Sequence, residues 1–269
     1  MTIRLYPDVN IVHLLRNRWA PVEFDRRAQT RGVTLAVGMH VVYELARGFL
    51  RGLRQNEVRK GCHFLSEIRS VEYLPPVQDV IRAELSEAGL GVPVITVLSP
   101  INQSATRLEL TRLANGYGDQ AATFIGRREA SVDTMSPRIA AENQKNPRVL
   151  RKLDSDSFRR RVLPSGTRAL GELATRFGMK PSPGALSRVL RRPADFPTLT
   201  TWLNAQWRMG WTSVRMGVVP GKLDDFRHLV ESARCNGFVT NDGNLAKIAP
   251  QISPSCRCLS WQDLLNMLM

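Results

Sequence analysis

The sequence predicts an α/β protein, a three-layer α/β/α fold around a mainly parallel sheet, interrupted by a helical insertion. Short apolar runs alternate with amphipathic helical segments at both ends of the chain, the pattern of parallel strands joined by crossover helices. At 269 residues and 43% hydrophobic content, the chain is long enough and apolar enough to bury one large core. Between about residues 92 and 220 the strand-like runs give way to Arg-rich helical segments. The expected division is therefore an α/β core from residues 1–91 and 221–269, with residues 92–220 inserted.

Residues 3–6 form an apolar run ending at Pro7-Asp8, a strand followed by a turn. A helix starts at Ile11, with Asn10 available as its N-cap. Residues 33–37 are a second apolar run. From 40 to 53, Val41, Val42, Leu45, Phe49 and Leu50 fall on one side of a helix, and Glu44 lies away from part of that stripe. A further helix covers 56–69, a strand over 70–74 stops at Pro75-Pro76, and a helix over 77–88 is closed by Gly89. The insertion reads as helices over 106–113, 147–153, 158–163, 167–177, 185–191 and 199–206. Alternation then resumes: helix 223–235, strand 237–240, helix 244–248, strand 257–259 and helix 261–267.

Charge points to the partner. The formal net charge is +14, which favours polyanions through counterion release. It is uneven: residues 101–219 hold 20 Lys/Arg against 9 Asp/Glu. Nucleic acid is the expected partner. Cys62, Cys235, Cys256 and Cys258 have neither zinc spacing nor a disulfide framework, so reduced thiols are expected. The first residues contain no secretory apolar region, and no apolar run is long enough to span a membrane. A soluble cytoplasmic protein without a membrane partner is expected, and a homo-oligomer is compatible with the sequence.

Against this basic background, four short acidic segments stand out: Pro7-Asp8-Val9-Asn10, Tyr43-Glu44-Leu45-Ala46-Arg47, Asp224-Asp225-Phe226-Arg227-His228 and Val239-Thr240-Asn241-Asp242. All lie outside residues 101–219. Asp8 and Asp242 follow apolar strands, and sites in parallel α/β sheets form beyond the carboxyl ends of strands. Asp8, Glu44, Asp225 and Asp242 brought together would repel one another unless a cation neutralised them. Carboxylate oxygens suit hard divalent cations, Mg²⁺ or Mn²⁺. Such a site activates water and stabilises the leaving oxygen in phosphodiester hydrolysis. Each segment also has a simpler local role: Asp8 in a turn or cap, Glu44 paired with Arg47 at i+3, Asp225 complementing a helix dipole, Asp242 in turn chemistry.

The four segments together resemble the PIN-domain nucleases, many of them toxins of bacterial toxin–antitoxin pairs. Pro7-Asp8-Val9-Asn10 is similar to the family's opening D-x-N, and Glu44-Leu45-Ala46-Arg47-Gly48 to its second acidic segment. Asp225-Phe226-Arg227-His228-Leu229 resembles the helix carrying the third acid, with Asp225 preferred over the adjacent Asp224 for its spacing to His228. Thr240-Asn241-Asp242 resembles the T-N-D strand end, the most specific of the four, and residues 259–265 resemble the closing strand and helix. The resemblance covers residues 1–90 and 221–269. It implies a Mg²⁺- or Mn²⁺-dependent endoribonuclease, in which Asp8, Glu44, Asp225 and Asp242 hold metal and activate water, and a cognate antitoxin as inhibitor. Asn10, Thr240 and Asp224 are supporting residues. His228 reads as structural.

The insertion supplies the expected backbone grip through Arg159, Arg160, Arg161, Arg188, Arg191 and Arg192. Residues 173–190 also resemble a helix-turn-helix, although Pro181 and Pro183 lengthen its connection. Trp202, Trp207 and Trp211 either stack bases or anchor the insertion, the latter being preferred. Two alternatives stand beside the ribonuclease: a DNA-reading regulator with an inactive acidic site, and a metal-dependent DNA nuclease. Residue types do not separate RNA from DNA, since a 2′-OH contact leaves no composition signal.

Overall fold

The computed structural model describes residues 2–50, 55–90, 97–116, 152–162, 166–216 and 220–269. Five strands, β1 (Ile3–Pro7), β2 (Val33–Val37), β3 (Val71–Tyr73), β4 (Gly237–Val239) and β5 (Arg257–Leu259), form one sheet in the order β3-β2-β1-β4-β5. Every pairing is parallel. Helices cover the sheet, giving the three-layer α/β/α fold that the alternating pattern predicts.

Helices α1 (Val9–Arg18) and α2 (Pro21–Arg31) carry the chain from β1 to β2, and α3 (Met39–Leu50) and α4 (Gln55–Glu67) from β2 to β3. Gly32 closes α2 in the left-handed region, φ 62°, where a side chain is costly. The chain then runs through α5 (Val77–Leu90), α6 (Pro100–Ala114), α7 (Ser155–Val162), α8 (Gly166–Arg176), α9 (Pro183–Arg191) and α10 (Pro197–Met216). It returns through α11 (Pro220–Ser232) to β4, and closes with α12 (Gly243–Ile252), β5 and α13 (Trp261–Leu268).

This order decides where a site can form. From β1 the chain first builds outward through β2 and β3, then crosses to the other side of β1 to lay down β4. Strands β1 and β4 are neighbours, with Pro7 opposite Val239. Their carboxyl ends therefore open on the crevice where strand order reverses, the usual ligand position in such sheets. Asp8 leaves β1 at that crevice and Thr240 leaves β4.

Leu5, Tyr6, Leu35, Val37, Phe238 and Val239 anchor the main core. The insertion enters this core rather than standing apart: Leu110 of α6, Phe158 of α7 and Trp207 of α10 are buried in it. A second cluster joins Ile81 and Leu85 of α5 to Leu170, Leu173, Leu186, Val189 and Leu199 of α8–α10. Packing thus crosses the boundaries drawn at residues 91 and 221. Glu84 of α5 is fully buried and accepts the backbone N–H groups of Thr198 (3.0 Å) and Leu199 (2.8 Å), capping α10 where its own sequence offers Pro197. Arg234 donates to the same carboxylate at 2.8 Å.

Three local expectations change. The cap of α1 is Asp8, not Asn10, because the helix begins at Val9. Helix α10 runs well beyond residues 199–206. Helices α8 and α9 turn Leu170, Leu173, Leu186 and Val189 into the second core, while Arg188 stays exposed. The segment expected over 147–153 lies almost wholly outside the described residues. The tryptophans anchor: Trp207 is buried, and Trp211 donates its indole N–H to the Leu153 carbonyl at 3.3 Å. Among the described residues no helix is long and apolar enough to cross a membrane, and the four cysteines are unpaired.

Candidate functional site

Asp8 is fixed from two sides. Its Oδ1 accepts the Ile11 backbone N–H at 2.8 Å as the N-cap of α1, and its Oδ2 accepts the Thr240 hydroxyl at 2.5 Å. The residue is only 4% exposed. Burial pushes its carboxyl above the usual range, against the lowering effect of the Thr240 and Ile11 hydrogen bonds. Thr240 also accepts the Asp242 backbone N–H at 3.0 Å. Asp242 itself caps α12, accepting from the N–H groups of Asn244 (2.7 Å) and Leu245 (3.0 Å). It is exposed at the mouth of the crevice. The local capping role and the cleft position coexist, since a carboxylate has lone pairs for both.

Helix α11 supplies two adjacent acids with different surroundings. Asp225 is half-buried, and its carboxyl is pushed up to about 6. Burial is the main cause, followed by repulsion from Asp242, with Glu44 and Asp224 adding to it and His228 opposing. Asp224 instead takes Arg227 at 3.0 Å and Arg47 at 3.3 Å. Asp225 thus feels the charge of the other carboxylates, while Asp224 is held by cations.

Glu44 of α3 does not form the Glu44–Arg47 pair that the i+3 spacing allows. Its Oε2 lies 2.9 Å from His228 Nε2, and its Oε1 lies 3.7 Å from His40 Nε2. The two histidines were not among the expected site residues. Both are buried, and their rings meet edge to face with centroids 4.5 Å apart. Behind them, Tyr6 donates its hydroxyl proton to Glu231 Oε2 at 2.8 Å and sits 3.0 Å from His228 Nδ1. Burial lowers the basicity of His228, but the hydrogen bond and charge of Glu44, aided by Glu231 and Asp8, raise it overall. Glu231 also accepts the His40 backbone N–H, at 3.0 Å to Oε2, at the start of α3. That approach requires Gly38, where a Cβ would run into the Glu231 carboxylate and the Tyr6 ring. Only the spacings of His40 to Glu44 and of Asp225 to His228, each about one turn, hinted at this cluster.

Beside it lies a cleft of about 730 Å³ lined by Asn10, Arg16, Asn17, Glu44, Arg47 and Asn241 among others. Asn10 contributes here rather than as a cap. None of the six arginines expected to grip a backbone lines this cleft. Arg159 packs over the Trp207 ring at 5.5 Å, Arg160 reaches Ser157 at 3.4 Å, and Arg161 is exposed. Arg188, Arg191 and Arg192 are exposed on and just after α9, with Arg192 3.4 Å from Asp195.

The charges of Asp242 and Glu44 act on Asp225, and that of Glu44 acts on Asp8. Among the described residues, the group of His, Cys, Asp and Glu side chains close enough to share a metal ion is His40, Glu44 and His228; Asp8, Asp225 and Asp242 do not converge on Glu44 in that way. No protein-family model matches this chain, and neither does any curated protein or solved structure.

Proposed function

We propose that the chain is a metal-dependent endoribonuclease that hydrolyses phosphodiester bonds at the crevice between β1 and β4. One observation carries this reading: burial first, and then the charge of Asp242 with smaller contributions from Glu44 and Asp224, pushes the Asp225 carboxyl up to about 6 on a protein of formal net charge +14. A basic protein that keeps such repulsion in a cleft has a cation to bind there. Asp8, Glu44, Asp225 and Asp242 would hold Mg²⁺ or Mn²⁺. When bound, the metal supplies a more acidic water and neutralises charge on the scissile phosphate.

The chain's own residues orient and steer. Thr240 fixes the Asp8 carboxylate and the start of α12 with one hydroxyl. Asn10 and Asn241, exposed in the cleft wall, offer amide donors and acceptors to phosphate or base edges. Arg47 in the same wall attracts the backbone, whereas Arg16 beside it is buried against Glu57. The preference for RNA, and a cognate antitoxin as inhibitor, rest on the resemblance of the four acidic segments.

The test is cleavage of labelled RNA and DNA with Mg²⁺, Mn²⁺ or EDTA. RNA cleavage that EDTA stops and that Asp242→Asn loses is the expected result. Cleavage of DNA alone would move the reading to a DNA nuclease. No metal-dependent cleavage of either would leave the regulator as the better account.

A further inference from the structure

The histidine cluster differs in chemistry from the carboxylate crevice beside it. One ring nitrogen each of His40 and His228 and a Glu44 oxygen all lie within 4.8 Å of one another. Asp224 Oδ1 stands 3.6 Å from His40 Nε2 but accepts from Arg227 at 3.0 Å. In a tetrahedral site with bonds of about 2.0–2.1 Å, neighbouring ligand atoms are about 3.4 Å apart. His228 Nε2 lies 2.9 Å from Glu44 Oε2 and His40 Nε2 lies 3.7 Å from Glu44 Oε1, so the two oxygens of one carboxylate face the two rings at separations on either side of that value.

The hydrogen bonds behind the cluster point the same way. Tyr6 gives its one hydroxyl proton to Glu231. Its oxygen therefore accepts from His228 Nδ1, which places the ring hydrogen on Nδ1. Nε2 then faces Glu44 with a lone pair, and two lone pairs do not meet at 2.9 Å without a positive centre. That centre is a second ring proton, a proton carried by Glu44, or a metal ion. An outer carboxylate acting through a hydroxyl to orient a ligating imidazole is how protein sites hold a metal-binding nitrogen in place.

We propose that His40, His228 and Glu44 form a binding site for a first-row transition-metal dication. Two imidazoles and a carboxylate favour Zn²⁺, Co²⁺ or their neighbours over Mg²⁺, which takes oxygen ligands. The site goes beyond the nuclease reading and holds whether or not the chain cuts nucleic acid. It shares Glu44 with the carboxylate crevice, so an ion here also fixes one wall of that crevice.

The experiment is Co²⁺ titration of the chelator-stripped full chain, followed by visible absorption, with Zn²⁺ as competitor. One equivalent should give the ligand-field bands of a four- or five-coordinate site, and Zn²⁺ should abolish them. His40→Gln should weaken binding at least about tenfold, and Tyr6→Phe, which only releases the outer hydrogen bond, by about tenfold. Asp242→Asn should leave the bands in place while stopping Mg²⁺-dependent cleavage, so this site and the nuclease reading fail separately. Cu²⁺ bound to the wild type should show coupling to two nitrogens in its electron paramagnetic resonance spectrum, a readout that needs no variant to fold. Absent Co²⁺ bands, oxygen-only Cu²⁺ coordination, or equal Co²⁺ affinity in wild type and His40→Gln would each overturn the site and leave a proton shared between His228 and Glu44.

Discussion

Thr240 joins the two ends of the candidate site: its hydroxyl donates to Asp8 Oδ2 at 2.5 Å and accepts the Asp242 backbone N–H at 3.0 Å. Thr240→Val keeps the shape and deletes both bonds. A buried carboxylate oxygen and a backbone N–H then lose partners, at a cost of about 1–3 kcal/mol. Urea unfolding should read that loss, and cleavage should fall with it, because Asp8 protonates more readily without its hydroxyl donor. Thr240→Ser should restore most of both. A valine variant as stable and active as wild type would remove Thr240 from the site.

Asp225 makes the metal-free protein pH-sensitive. Its folded carboxyl titrates at about 6, above the ordinary 3.8, so the native state holds this proton more tightly than the unfolded chain. The resulting stability is complete below 3.8 and is lost as pH rises through about 6. Asp225→Asn cannot titrate. Its stability relative to wild type should therefore climb across that window and level off above it. The plateau should be about 1–2 kcal/mol in favour of the variant, the shift being discounted for partial exposure. Urea melts in chelator at pH 4, 5, 6 and 7 measure this. A flat difference would mean that neither burial nor the neighbouring carboxylates raise the Asp225 carboxyl. Cleavage by this variant should be lost at every pH.

The parts that sequence could reveal are those set by local pattern. Strands β1, β2 and β4 are continuous apolar runs ending in turn-forming residues, and the acids after β1 and β4 carry position with them. What sequence could not reveal was settled by contacts between distant elements. Arg47 sits at helical spacing from Glu44 but turns to Asp224, which is 177 residues away. Glu44 turns to His228, 184 residues away. No periodicity encodes such choices. They follow from α3 packing against α11 across the strand reversal. The packing partners of the insertion were hidden for a related reason: α5, α8, α9 and α10 each show an ordinary amphipathic face, and a face does not name its partner.

The insertion is held to the core by Glu84. This carboxylate satisfies two backbone N–H groups at the start of α10 and the Arg234 side chain. Glu84→Ala leaves those donors without an acceptor in a buried place. The expected loss is about 2–4 kcal/mol, Arg234 being partly hydrated. Hydrogen exchange should rise at Thr198 and Leu199 more than at β1 or β4. Uniform exchange across the molecule would show instead that α10 is held by its apolar contacts alone.

The arginine run on α7 separates into two roles. Arg159 lies over Trp207 at 5.5 Å, a ring buried in the main core, so it packs as well as carries charge. Arg160 and Arg161 are exposed. If α7 holds the nucleic-acid backbone, the double variant Arg160→Ala/Arg161→Ala should weaken RNA binding without loss of stability. The slope of log affinity against log salt should fall by about 0.7 for each phosphate contact removed from a single strand. Single-turnover cleavage at saturating enzyme should stay near wild type, because neither residue lines the cleft beside the carboxylates. Arg159→Ala should behave differently, lowering stability by about 0.5–1 kcal/mol through the lost stacking. An unchanged salt slope in the double variant would make this face a solvated one. The backbone path would then lie along Arg47, where Arg47→Ala should lower the slope instead.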